Sequence, residues 1–433
     1  MLSWNEAREY IELEEMCELL RKIIRIPSIG SRESEVAYEI IDLLEEEGIK
    51  EYKLLESEEG RGNLIIDVKG RSEGFNLLFI GHSDVVPPGE GWSINPFSGE
   101  ERDGYIYGRG AIDDKSQIVV YTYLAVLLNR LGRDFRGRIR ILIAADEELQ
   151  NPNHGVRYLI KEHPYIFKGI HGAIGELGGL VSIGGRKAQA IIIGEKGSVS
   201  HKVVLKGRGR HSSLVGEDDL IKIGSEFLLR LPRKIYFVSE TFKNALKDAF
   251  GWKRHLIFNR LLSKHLMNND PILNMYIQAL SHITIASTIV RAGEAHNVIP
   301  DRMEIIINAR IFPEQNESWV RRLIEKTLSR ITKNNYDILL QTYVPATLST
   351  TDNLLYKKIV ETIREMNYTP LPLIQVGSSD SAWVRSLGIP VYHFFTTTKE
   401  LEIDRIHGAD ERIWKKDLLK ALEGYYRLIA NIQ

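Results

Sequence analysis

A chain of 433 residues is too long for one compact core and calls for two or three domains. With 57 Lys and Arg against 58 Asp and Glu, the formal net charge of −1 gives no field that would draw it to nucleic acid or to an anionic membrane. The single cysteine, Cys17, excludes an intrachain disulfide framework and points to a cytoplasmic protein.

The opening MLSWNEAREYIELEEM reads as an acidic helical start, without the basic segment and apolar run of a secretory signal. No stretch approaches the ~18 consecutive apolar residues of a membrane span. Val36, Ile40, Leu43 and Leu44 then share a helical stripe that Gly48 closes. NLIIDV (63–68), NLLFIGH (76–82) and RIRILIAA (138–145) read as buried strands. SQIVVYTYLAVLLNRLG (116–132), between the last two, reads as a mostly buried helix ending at Gly132. Strands alternating with helices predict a layered α/β domain around a central, mostly parallel sheet.

From Gly197 the pattern changes. SVSHKVVLKG (198–207) alternates like a half-exposed strand, and DLIKIGSEFLLRL (219–231) is helical. After a further helical, aromatic-containing stretch, HITIASTIV (282–290) and RMEIIINARI (302–311) again read as strands. Residues 197–312 are therefore expected to form a smaller α+β domain. It would interrupt a discontinuous outer domain of residues 1–196 and 313–433. Helices at 316–332, 353–366 and 411–430 and a strand at 391–395 would complete the outer domain.

Polar residues gather at the predicted strand ends, where α/β folds place their sites. In GHSDVV, His82 and Asp84 share one face of a strand, so a carboxylate can orient an imidazole ligand; in isolation the pair reads as a solvated turn. GRGAIDDK (108–115) sets Asp113 and Asp114 before Lys115, an order that repels phosphate and by itself describes a helix cap. AADEELQ (144–150) holds Asp146, Glu147 and Glu148 in a row. Three such carboxylates repel one another unless a cation or a shared proton offsets them, and they cannot all face one way. GAIGELGG (172–179) adds Glu176, and DRIHGADER (404–412) adds His407. Each cluster has a structural explanation on its own. Together their nitrogen and oxygen donors suit two zinc or cobalt ions better than magnesium or calcium, with one carboxylate bridging the pair.

The run GHSDVVPPGEGWSINPFSGEERDGYIYGRGAIDDK resembles the H-x-D, G-x-G-W…P-F and G-R-G-x-x-D-D-K signature of the dinuclear-metal exopeptidases and deacylases. That family includes aminoacylase, carboxypeptidase G, acetylornithine deacetylase, succinyl-diaminopimelate desuccinylase and carnosine dipeptidase. The resemblance extends from IPSI to HGADE, nearly the whole chain. It implies a catalytic metal-binding domain interrupted by a lid and dimerisation domain, and two divalent metal ions, zinc before cobalt or manganese. The implied reaction is hydrolysis of the amide bond of a small peptide or N-acyl amino acid.

By position, the resemblance implies His82 and Glu176 as ligands of one metal, Glu148 and His407 as ligands of the other, and Asp113 as the bridge. The peptide bond from Asp113 to Asp114 would be cis. Asp84 would orient His82, and Glu147 would be the general base. GRGRHSS marks His211 as the histidine that polarises the scissile carbonyl, usually in the partner subunit's site, which implies a homodimer. AHNVIPD marks Asn297, and VGSSDSAW marks Gly377 and Ser378 in the substrate pocket. NAR marks Arg310 as the clamp for the substrate carboxylate, a task suited to its bidentate fork. Asn308 stands where an aspartate is usual.

The motif style is nearer the peptidases than the biosynthetic deacylases of acetylornithine or succinyl-diaminopimelate, which are the alternative. A non-catalytic binding protein is the remote one, since the base and all five ligand positions are filled. A serine hydrolase would need a G-x-S-x-G elbow that GSSDS does not provide.

Overall fold

The computed structural model describes residues 1–183, 186–247, 271–333 and 335–433. The helical, aromatic-containing stretch expected before residue 282 is described to Lys247 and again from Pro271; the part between lies outside the described residues. Among the described residues no helix is long and apolar enough to cross a membrane. The chain forms two compact units. The first comprises Met1–Ile193, Ser349–Leu373 and Trp383–Gln433, and the second Gly194–Leu348 and Ile374–Ala382.

The sheet of the first unit runs in the order Tyr52–Glu56, Gly62–Lys69, Arg136–Ala144, Ser72–His82, Gly172–Gly175, Val391–His393 and Arg186–Glu195. Its four central strands, from Arg136–Ala144 to Val391–His393, are parallel, and the flanking pairs are antiparallel. A parallel sheet is covered on both faces, and its central strand shows why. Leu77, Leu78, Phe79 and Ile80 are all buried, with alternate side chains on opposite faces. Leu78 and Ile80 join Leu142, Val156, Leu159 and Ile166 in a core under the helix Gly155–Glu162. Phe79 meets Tyr121 and Tyr425, with ring centroids 4.9 and 5.2 Å away. Those tyrosines sit on the helices Lys115–Arg130 and Lys415–Asn431. The first of these is apolar nearly all round and is buried from Lys115 to Leu128.

The second unit is a five-stranded antiparallel sheet in the order Lys234–Tyr236, His282–Ala292, Arg302–Ile311, Gly197–Lys206 and Tyr336–Val344. Met303, Ile305, Ile307, Ala309 and Ile311 are buried while their neighbours are not, so one face is covered. The helices Leu220–Arg230 and Glu317–Leu328 pack on this sheet.

This unit outruns the expected boundary at residue 312. Tyr336–Val344 pairs with Gly197–Lys206 from Ser198↔Val344 to Leu205↔Tyr336, and Glu317–Leu328 buries Val320, Ile324 and Leu328. A helix followed by a strand looks locally like a return to the α/β pattern. Its sheet is decided by pairing with a strand more than a hundred residues earlier, which periodicity does not register.

Candidate metal centre

Three neighbouring parallel strands end at one edge of the first unit's sheet, and each releases a polar residue there. His82 closes Ser72–His82, Glu147 and Glu148 follow Arg136–Ala144, and Glu176 follows Gly172–Gly175. The carboxyl edge of parallel strands is where side chains of different strands meet without blocking the ladder. Asp113 comes from the turn before the helix Lys115–Arg130, and the peptide bond from Asp113 to Asp114 is cis. Gly81 makes room for this turn, because a Cβ there would collide with the Asp114 carboxylate and the Ile118 side chain. His407 projects from the loop ahead of the last helix, with φ of 61° and 48% of its side chain exposed.

These side chains fall into two sets that share Asp113. Its Oδ1 lies 3.0 Å from His82 Nε2, which is 3.2 Å from Glu176 Oε2. Its Oδ2 lies 3.3 Å from His407 Nε2, which is 2.9 Å from Glu148 Oε1. Ligand atoms about 2.0–2.1 Å from a tetrahedral zinc stand roughly 3.3 Å from one another. Each histidine thus stands from its two carboxylates at the spacing of neighbouring ligands on a small divalent cation, with donor chemistry to match. Asp114 lies at the same place: its Oδ2 accepts the His82 backbone N–H at 3.2 Å, and its Oδ1 is buried without a hydrogen-bond partner. It forms with His82 and Glu176 a group whose ligand atoms all lie within 4.8 Å of one another, as His82, Asp113 and Glu148 do.

The charge balance also calls for cations. Burial raises the pKa values of Glu148, Glu176 and, most strongly, Asp114. Burial opposes charge on His82 too, but hydrogen bonds to Asp113, Asp84 and Glu176 outweigh it and push its pKa well up. Hydrogen bonds to Asp113 and Glu148 push His407 up to about 10. The imidazoles take protons because carboxylates crowd them, the demand that two metal ions would meet.

The surroundings hold the expected partners Asp84 and Glu147, and contacts that the motif pattern missed. Asp84 reaches His82 Nδ1 with its backbone carbonyl at 3.0 Å and its Oδ1 at 3.4 Å. Its carboxylate oxygens also accept the backbone N–H groups of Glu147 at 3.1 Å and Glu148 at 3.0 Å. Glu147 is itself buried, with Oε1 3.3 Å from Gln150 Nε2. Asp146 turns away to pair with the buried Arg61. Glu411 accepts hydrogen bonds from the turn that carries Asp113. Its signal in the sequence was the acid at the end of HGADE, close to His407.

The remaining expected residues belong to the second unit. His211 pairs with Val298 across a short antiparallel ladder, and Ser212 N–H donates to the Asn297 carbonyl at 2.9 Å, so His211 and Asn297 lie on adjacent segments. The His211 ring is exposed, with Nδ1 2.9 Å from Ser213 Oγ. Arg310 Nη1 donates to Ser378 Oγ at 3.0 Å, next to Gly377. Asn308, in the usual place of an aspartate, donates to Ser198 and Ser200 at 3.1 and 2.8 Å. A neutral amide suits those two hydroxyls.

A covered α/β sheet whose parallel strand ends, with the turn at Asp113 and the loop at His407, gather two histidines and three carboxylates has the donor set of a metal-dependent enzyme. The description "Peptidase family M20/M25/M40" matches residues 78–431, and the chain belongs to that family of metallopeptidases and amidohydrolases. Enzymes of this family bind a dinuclear metal site. The chain is 28% identical to the N-fatty-acyl-amino acid synthase/hydrolase PM20D1 of Xenopus tropicalis, over 99% of this chain and 89% of that one. It is also 28% identical to the succinyl-diaminopimelate desuccinylase of Helicobacter hepaticus, over 93% of each. The solved M20 metallo-carboxypeptidase Sso-CP2 of Sulfolobus solfataricus shares the fold, with a TM-score of 0.74 and 20% identity, over 96% of this chain and 99% of that one.

Proposed function

We propose that this protein hydrolyses the amide bond of a small peptide or N-acyl amino acid at a two-metal centre. His82 and Glu176 would hold one ion and Glu148 and His407 the other, with Asp113 common to both. The observation that carries this reading is the division of Asp113, one oxygen facing each histidine. The mixed nitrogen and oxygen donors favour zinc, with cobalt or manganese as substitutes. When bound, two such ions act as Lewis acids and lower the pKa of water to about 7.

The chain's own residues supply the rest. Glu147 accepts a proton from the attacking water and returns it to the leaving amine. His211 donates to the oxyanion that develops on the scissile carbonyl. Arg310, steadied by Ser378, clamps the substrate's free carboxylate, while Asn297 and Gly377 line the pocket. The two relatives act, by name, on acyl groups joined to amino acids, which supports a substrate with a carboxylate beside the amide. The second unit serves as lid and dimerisation domain, and the protein acts as a homodimer. The lone, buried Cys17 suits the cytoplasm.

The test is Glu147→Ala with metal analysis. The variant is expected to retain two equivalents of metal and lose turnover on a panel of dipeptides and of acetyl-, succinyl- and long-chain acyl-amino acids. Full activity in this variant would remove Glu147 as the base, and the panel identifies the substrate.

A further inference from the structure

Glu411 has no part in the reaction outlined above, yet it is fully buried four residues beyond His407. Its Oε1 accepts the backbone N–H groups of Ile112 at 2.8 Å and Asp113 at 3.0 Å. Its Oε2 accepts the Gly110 N–H at 3.1 Å and Arg109 Nη1 at 2.6 Å. Four donors saturate the roughly four lone-pair directions of a carboxylate, and a charged acceptor makes each bond stronger than a neutral one would. The Glu411 carbonyl adds a fifth tie, accepting the Gly108 N–H at 2.9 Å.

The turn is shaped for this convergence. Gly110 has φ of +88°, and a Cβ there would stand 2.8 Å from Val85 Cγ1. Arg109, buried against Glu411, also donates to the Pro88 carbonyl at 3.1 Å and lies 5.3 Å from the Trp92 ring. On the other side, His407 stands on an exposed loop, so its position relative to Asp113 depends on how that loop is anchored.

We propose that Glu411 is a positioning residue for the dinuclear centre. It gathers the amides of Gly110, Ile112 and Asp113 and so sets Asp113, common to both ligand sets, at a fixed distance from His407 on its own loop. The inference rests on the two-metal reading and adds to it the group that holds the bridge and the second set in register.

Cobalt titration of the metal-free protein, followed by visible absorption, tests this. Glu411→Gln keeps the shape but turns one acceptor oxygen into an NH2 group that faces N–H donors. The wild type is expected to take up two equivalents of Co2+. The variant should bind cobalt roughly 10–100-fold more weakly, the second equivalent most, with an altered absorption band. Its kcat should fall while KM stays near wild type. Glu411→Asp, which keeps the charge and shortens the reach, should recover part of the affinity, and it replaces the glutamine variant should circular dichroism show the latter unfolded. Arg109→Gln leaves the three amide bonds in place and should cost less. Wild-type affinity and spectrum in the folded Glu411 variant would overturn the role of Glu411 alone. A wild type that binds no cobalt would overturn the metal-centre reading, and this proposal with it.

Discussion

Asp84 shows how much one side chain can coordinate here. Its backbone carbonyl meets His82 Nδ1, and its carboxylate bonds the amides of both Glu147 and Glu148. The proposed base and a proposed ligand of the second metal are therefore hung from the residue beside a ligand of the first. Asp84→Asn keeps the size and the backbone contact, but its NH2 group cannot accept an N–H. One amide then lies buried without a partner, which costs about 1–3 kcal/mol. Chemical denaturation should show that loss, and kcat should fall more than metal affinity, because the carbonyl still meets His82. Equal kcat for the two proteins would remove Asp84 from the positioning of Glu147. The H-x-D spacing made a His82–Asp84 contact legible. The second role was hidden, because the two amides follow the neighbouring strand Arg136–Ala144, and local spacing does not say which strands are neighbours.

Among the elements, the junction of the helix Glu33–Glu46, the strand Gly62–Lys69 and the loop after Ala144 is held by Arg61. Its guanidinium pairs with Asp146, lies 3.1 Å from Glu33 Oε1 and donates to the Gly30 carbonyl at 2.6 Å. This explains the row of three acids: Asp146, at φ of 65°, is drawn to Arg61 as the chain turns to present Glu147 and Glu148. Burial pushes the Glu33 carboxyl from its ordinary 4.5 up to about 7. The native chain then binds a proton that the unfolded chain has released between those two values. The Glu33 contribution is full below about 4.5 and is lost as pH rises through about 7. Glu33→Gln has no such proton, so the stability of the wild type should fall relative to the variant across this window. Urea denaturation on either side of it measures the difference, and a constant gap would place Glu33 at its ordinary pKa. Arg61→Met, by contrast, leaves the buried Asp146 carboxylate without its cation and should destabilise by about 3–5 kcal/mol in the same assay. Sequence patterning showed that the acids diverge; the cation that draws one aside lies 85 residues earlier.

At the scale of the whole chain, apolar strands and an all-round buried helix made the α/β unit readable, and alternation in SVSHKVVLKG marked the change to the second one. The extent of the second unit was not readable, because edge pairing rather than composition brings in residues up to Val344. That division matters for function. The proposed metal ligands and Glu147 belong to the first unit, whereas His211, Asn297, Arg310, Gly377 and Ser378 belong to the second. If, as proposed, the second unit carries His211 to the partner's centre, a protomer lacking its base can still complete its neighbour. His211→Ala and Glu147→Ala should each be nearly inactive alone. Mixed in equal amounts and allowed to exchange, they form hybrid dimers in which one centre has both residues. Statistical exchange makes half of the dimers hybrid, each with one of two centres intact, so activity should return to roughly a quarter of the wild type. Both variants are expected to keep their metal, which excludes metal transfer as the source of recovery. No recovery, in a mixture shown by native mass spectrometry to contain hybrids, would confine His211 to its own protomer.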